Sequence, residues 1–316
     1  MATISIESMR EFMSHSISSM NANKLNGLLA EVELRNYINT IGYAGRISPG
    51  GWIARRQGAG DFGHETVVLF PETIIPGTQY PPERISPNPS HGLHTICSTF
   101  HQSGIRAFYC SAVVEQDEST SSLRWQAVQL GVPTQQQVQS FPDCLQAYFR
   151  ARERKYTFLR YHTDTSVIPS APIPEEFAKE HLRVTFQNRF MAEISDVDGI
   201  FWGQQFTYPL EIKEKTPAFD RSLGDYFGLD IGPFVKLAFY AAKRGNLHSL
   251  FIVREIDNVQ TRNLVSWWFI TYDQLAQYAS WVFQGGGRNM QGGMSSVVRI
   301  PKAEFKPLDA ANLAAL

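Results

Sequence analysis

Residues 232–255, GPFVKLAFYAAKRGNLHSLFIVRE, restrict the folds open to this chain more than any other stretch. Gly232-Pro233 opens a helix, because proline tolerates the first helical turn. Lys243 and Arg244 place positive charge in the last turn, where the peptide dipoles leave partial negative charge, and Gly245 follows as a stop. The run LHSLFIVRE has the length and composition of one buried strand. A strand before this helix and this strand after it make a right-handed crossover between parallel strands. Parallel pairing points to an α/β fold. The pattern predicts a helix over 233–244 and strands over 182–187, 196–202, 206–213, 248–254 and 264–271.

The N-terminal part is less regular. In NKLNGLLAEVELRNYINTIGY, Leu25, Leu28, Leu29 and Val32 recur at helical spacing, and Gly42 is placed to end the helix. Residues 45–89 read as loops, with SPGGW, RQGAGDFG and a proline-rich segment interrupting any long element. GIRAFYCSAVVEQ and SSLRWQAVQLG, separated by DEST, read as two hairpin strands, and FPDCLQAYFRARERKY as a helix. DTSVIPSAPIPEEF reads as a connection between regions, and FQGGGRNMQGGM as a glycine-rich loop.

A chain of 316 residues, 43% of them hydrophobic, can bury a full core. The formal net charge of -1 excludes bulk attraction to a polyanion, so any contact with nucleic acid depends on local patches. Three cysteines, Cys97, Cys110 and Cys144, are too few and too scattered for a disulfide framework and fit a reducing compartment. No apolar run reaches the length of a membrane span, and the opening MATISIESMREFM lacks the basic-then-apolar order of a signal peptide. These features predict a soluble cytoplasmic protein without a membrane partner.

The chemistry concentrates in DVDGIFWGQQFTYPLEIKEK, residues 196–215. Strand alternation puts Phe206, Tyr208, Leu210 and Ile212 on one face, to pack inward, and Thr207, Pro209, Glu211 and Lys213 on the other. A turn at Gln204-Gln205 sets an antiparallel register in which Asp198 faces Glu211. Directly opposed Cβ atoms lie about 4.5–5.5 Å apart. Two carboxylates at roughly 4 Å, in an effective dielectric near 20, repel by on the order of 4 kcal/mol. A divalent cation between them offsets that repulsion, and hard oxygen ligands suit Mg2+, with Mn2+ as a substitute. Lys213 follows on the same face, about 6–7 Å along the strand, within reach of an attacking water or of transition-state charge. Phosphodiester hydrolysis calls for this combination, because hydroxide must approach a phosphate that is already anionic. Asp196 has the same facing as Asp198 and is the second acid in rank. A charged strand face is also the ordinary solvated surface of a sheet, and Pro209, lacking an N–H, calls for an edge strand or a bulge.

Three stretches together resemble the PD-(D/E)XK nuclease superfamily, which includes type II restriction endonucleases and Holliday-junction resolvases. DGIFW followed by PLEIK is similar to the acid before a hydrophobic strand and the E-x-K on the next one. NGLLAEVELRNYINTIGY resembles the helix of resolvase-like members, with its Gly-x-x-x-Glu and closing Gly-Tyr, and by that likeness Glu31 is an additional metal-ligating acid; Glu33 competes for the role. GPFVKLAFYAAKRGNLHSLFIVRE resembles the helix and strand that complete the core. Val197 stands where the motif's proline would be, and the stretch between the first helix and the hairpin is far longer than in compact resolvases.

The resemblance implies a restriction-endonuclease-like αβββαβ core, a mixed central sheet flanked by helices, with a large inserted α+β region. Residues 1–45 would supply N-terminal helices of that core, 46–180 an insertion for DNA recognition or dimerisation, and 181–316 the catalytic core. Asp198, Glu211 and Lys213 would be catalytic, with Glu31, Asp198 and Glu211 binding Mg2+. The implied protein is a sequence-specific endonuclease for double-stranded DNA, acting as a homodimer and accompanied by a separate cognate DNA methyltransferase. A structure-specific, repair or RNA-directed nuclease would use the same residues, and a nucleic-acid-binding module without chemistry would keep the same fold.

Further candidates for nucleic-acid contact are basic. FRARERKYTFLRYH interleaves Arg150, Arg152, Arg154, Lys155 and Arg160 with Tyr156, Phe158 and Tyr161, suited to phosphate contact and stacking, or equally to a solvated helix face. Arg55 and Arg56 lie in GGWIARRQGAG, and Lys215 shares the facing of Lys213. His91, His94, Cys97 and His101 are potential zinc ligands, but steps of three, three and four residues describe a helix face and not a paired zinc signature.

Overall fold

A computed structural model describes residues 3–18, 22–55, 66–84, 89–115, 119–130, 137–140, 145, 163–189, 193–243, 245–278, 281–285 and 294–316. The protein is α/β, with a large mixed sheet flanked by helices. The chain divides into two compact units, Met1–Val32 with Pro49–Val197, and Glu33–Ser48 with Asp198–Leu316.

The first unit holds α1 (Ile6–Ser18), the start of α2 (Ala22–Ile38), β1 (Ile47–Arg55) from Pro49 onward, β2 (Val67–Pro71), α3 (His91–Gln102), β3 (Arg106–Val114), β4 (Leu123–Gln129), β5 (Gln137–Ser140) and α4 (Ile173–Arg189). Its strands are hydrogen-bonded in the order β1-β2-β3-β4-β5, with β2 and β3 parallel and the other pairs antiparallel. Alternate residues of the strands, among them Val67, Leu69, Phe108, Cys110, Ala112, Leu123, Trp125 and Ala127, meet Met9 and Met13 of α1 and Phe177, Leu182 and Phe186 of α4 in one core. On the opposite face, Phe70 packs on Phe100 of α3 at a ring separation of 6.0 Å. Both faces are therefore covered, as parallel pairing requires.

The second unit takes the end of α2 and then β6 (Glu193–Trp202) from Asp198 onward, β7 (Thr207–Lys215), β8 (Ala218–Asp220), β9 (Gly224–Asp230), α5 (Ile231–Ala241), β10 (Leu250–Ile256), β11 (Leu264–Thr271), α6 (Tyr272–Leu275), β12 (Trp281–Gly285), β13 (Met294–Pro301), β14 (Lys306–Pro307) and α7 (Ala310–Leu313). Its strand order is β6-β7-β10-β11-β14, and β7 and β10 are parallel. A second sheet, in the order β12-β13-β9-β8, joins Phe227, Leu229, Val298 and Ile300 to Phe234 and Leu237 of α5 and to Phe251, Val253 and Ile270. On the other side, Tyr37 of α2 stacks on Trp267 of β11 at 6.4 Å.

The expected elements over 196–202, 206–213, 233–244, 248–254 and 264–271 are present, as is the β3–β4 hairpin. Gly42, with φ 96°, lies in the wide turn Asn39–Tyr43 that follows α2. Two expectations are corrected. Residues 182–187 are helical, part of α4: Leu182, Val184 and Phe186 alternate in sequence, but the helix is buried over most of its circumference and shows no single apolar stripe. Residues 45–89 are not all loop, because β1 and β2 lie there. Gly51 looks like turn punctuation, yet it sits within β1 because a Cβ there would collide with the Leu69 carbonyl of the paired strand. The helix expected over 141–156 lies outside the described residues apart from Leu145. No helix among the described residues is long and apolar enough to cross a membrane.

Candidate functional site

β6 and β7 form an antiparallel hairpin around Gln204 and Gln205, with Gly199 opposite Leu210, Ile200 opposite Pro209, Phe201 opposite Tyr208 and Trp202 opposite Thr207. This is the register in which position 198 comes across from 211. Regular pairing ends at Gly199, and Asp198 continues it with its side chain: Oδ2 accepts the Ile212 amide at 2.6 Å. The acid of β6 is thereby tied to the strand that carries Glu211 and Lys213.

β7 is an inner strand, contrary to the edge or bulge expected from Pro209. The proline falls where pairing with β10 lapses, between the isolated Thr207–Leu247 bridge and the parallel ladder that starts at Leu210–Leu250. A residue without an N–H is tolerated at such a gap. The charged face of β7 is not solvated either. Asp198 is 3% exposed and Glu211 1%, and the neighbour of Glu211 on β10 is Phe251.

Two lysines compensate the buried Glu211 carboxylate. Lys213 Nζ lies 2.6 Å from Oε1 and Lys236 Nζ 2.5 Å from Oε2. The Lys213 side chain is 34% exposed and the Lys236 side chain 6%, so one amine reaches solvent and the other is enclosed. Lys236 was not among the residues singled out from sequence. The signal was present, since it is the single charged residue of α5, IGPFVKLAFYA, and a lysine inside an apolar helix requires a buried acid as partner. Lys215 lies two residues beyond Lys213 on the same strand face; burial holds its amine below the ordinary lysine range, opposed by the charge of Asp230.

Glu31 belongs to the first unit, where its carboxylate accepts Lys179 Nζ at 2.7 Å, with Glu176 3.7 Å from the same amine. Burial raises its pKa, against the pull of Lys179. Its competitor Glu33 pairs with Arg254 at 2.7 Å in the second unit. Asp196 is exposed. Of the basic candidates, Arg56, Arg150, Arg152, Arg154, Lys155 and Arg160 and the side chain of Arg55 lie outside the described residues. His94, Cys97 and His101 lie on α3, as does His91, whose side chain is outside the described residues; Cys97 is core, its thiol pushed up by burial.

Among the described residues, no group of three or more His, Cys, Asp or Glu is arranged to hold a metal ion. The two carboxylates of the second unit nevertheless fit Mg2+ in donor chemistry: both are hard oxygen ligands, fixed on adjacent strands and withdrawn from water. They fit it less well in charge, because Glu211 is already neutralised by ammonium groups. The repulsion expected between opposed acids is thus offset within the protein itself. Neither protein-family models, nor curated proteins, nor solved structures match this chain.

Proposed function

We propose that the protein is a Mg2+-dependent endonuclease of the PD-(D/E)XK type, cutting double-stranded DNA in the manner of a type II restriction enzyme. The observation that carries the reading is the attachment of the buried Asp198 carboxylate to β7 at Ile212, beside Glu211 and Lys213 on one hairpin. The antiparallel β6–β7 hairpin, followed by α5 and by β10 parallel to β7, supports the strand, strand, helix, strand part of the αβββαβ core.

Asp198 and Glu211 would hold Mg2+, with Mn2+ able to replace it. When bound, the cation supplies screening of the phosphate and a more acidic water. Lys213, with 34% of its side chain exposed beside Glu211, would add positive charge near a phosphate oxygen or the water attacking it, where the transition state gains negative charge. Lys215 and the arginines at 55, 56, 150, 152 and 154, with Lys155, would contact the backbone. A homodimer, a cytoplasmic setting and a cognate methyltransferase belong to the same reading.

One observation favours a second reading. Neutralisation of Glu211 by two lysines is also how a nucleic-acid-binding module without chemistry would stabilise this core. Incubating the protein with unmodified plasmid and Mg2+, then sequencing the ends, separates the two. Ends at one repeated word support the restriction enzyme, ends at branches or termini a repair nuclease, and intact plasmid the binding module.

A further inference from the structure

We infer that Lys236 is a charge gate, making divalent-cation binding at Asp198 and Glu211 dependent on an accompanying anion of the phosphodiester class. The inference rests on the reading of Asp198 and Glu211 as cation ligands. It starts from a count of charges. Within the second unit, the Glu211 carboxylate stands against two ammonium groups, Lys213 on Oε1 and Lys236 on Oε2, so its single negative charge is already matched by more than one positive charge. A dication added beside a buried carboxylate so compensated brings positive charge up against two ammonium groups, which is unfavourable where water screens little. Lys213, with 34% of its side chain exposed, can turn outward and take its charge into water. Lys236 cannot do so readily: it leaves the middle of α5, which is packed through Phe234, Leu237 and Tyr240, and its side chain is 6% exposed.

One positive charge therefore stays beside Glu211 whatever Lys213 does. The anion that cancels it is the one a nuclease must admit, the phosphodiester. Cation and phosphate then each raise the affinity of the other, by the reciprocity of linked binding. Lys236 has no need to touch the reacting atoms for this. It acts through Glu211, keeping the cation weakly held until substrate is present.

The test is calorimetric titration of MnCl2 into the wild type, Lys236→Met, Lys236→Gln and Lys236→Arg, without nucleic acid and then with a short DNA duplex. Both neutral variants are expected to bind Mn2+ at least tenfold more tightly than the wild type when no DNA is present, and the arginine variant to behave as wild type. Adding Glu211→Gln should remove the gain. In the wild type, which needs no substitution to fold, the duplex should tighten Mn2+ binding. Equal affinity in the wild type and both neutral variants, or a wild-type affinity indifferent to the duplex, overturns the inference. Plasmid cleavage by the wild type is scored separately. Cleavage with no gain in the variants overturns the gate and leaves the nuclease reading in place, whereas a gain without cleavage does the reverse.

Discussion

The Ile212 amide donates to the Asp198 carboxylate at 2.6 Å, so a side chain occupies the position where β6 would otherwise continue the backbone ladder. The acid thus has a structural task as well as its proposed chemical one. Asparagine retains a carbonyl oxygen for the amide, whereas alanine leaves a buried N–H unsatisfied, at about 1–3 kcal/mol. Asp198→Asn should therefore unfold in urea close to the wild-type midpoint, and Asp198→Ala well below it. Both should lose Mg2+-dependent cleavage. Equal stability of the two variants would remove the structural half of this account.

Glu211 and Lys213 should separate in the opposite sense. Glu211→Gln leaves two ammonium groups without their carboxylate, one of them enclosed, and breaking a buried pair from one side costs roughly 3–5 kcal/mol. Lys213→Met removes the more exposed amine and leaves Lys236 on Glu211, so less than about 1 kcal/mol should be lost. Cleavage by Lys213→Met should still fall by on the order of 10²-fold or more. Denaturation curves and plasmid cleavage on the same preparations check both halves.

The hairpin was legible because its information is local: alternation sets the faces, and a turn at Gln204-Gln205 sets the register. The helix from Ile231 was legible from Gly232, Pro233 and Gly245, and α3 from histidine spacing. The burial of Glu211 was not read, although the predicted crossover already implied it, since a helix between parallel strands covers the face on which the crossover runs. The partnership with Lys236 lay further out of reach. Periodicity tells which way a side chain leaves its own helix but not which strand it meets across 25 residues of chain. β1 was hidden by Gly51, whose missing side chain serves close strand approach and not a turn.

The hairpin turn offers a third prediction. Gly203 donates to Phe206 at 2.9 Å, and the adjacent Gln204 amide donates to the Leu316 carbonyl at 3.0 Å. A Cβ at 203 would collide with the backbone of Leu316 and press on the Tyr208 ring, so neither neighbour can yield cheaply. Gly203→Ala should destabilise the protein by about 1–3 kcal/mol, the usual range for overpacking, and disturb the register that positions Asp198. A lowered melting temperature together with loss of Mn2+ binding would bear this out, and an unchanged melting temperature would contradict it.

His181 on α4 supplies the pH dependence. Its Nδ1 accepts Trp125 Nε1 at 3.1 Å and its Nε2 faces the Thr120 carbonyl at 2.9 Å, which only the neutral ring protonated at Nε2 can satisfy. Phe12 and Phe177 pack on the ring at 5.1 and 5.7 Å. Burial lowers its pKa from 6.5 to about 4. The folded value lies below the unfolded one, so the contribution is complete above roughly pH 6.5 and is lost as the unfolded chain takes up a proton the folded chain refuses, down to about pH 4. The loss amounts to roughly 3 kcal/mol. Neighbouring Glu180 acts in a more acid window: burial alone would raise it, yet Lys24 and Arg183 hold it below its ordinary value of 4.5, so its contribution disappears only beneath that pH. Urea midpoints of the first unit should therefore fall between pH 7 and 4.5 in the wild type, and much less in His181→Phe, which starts from lower stability because Trp125 and Thr120 lose their partner. Parallel slopes for the two proteins over that interval would assign the acid sensitivity to other groups.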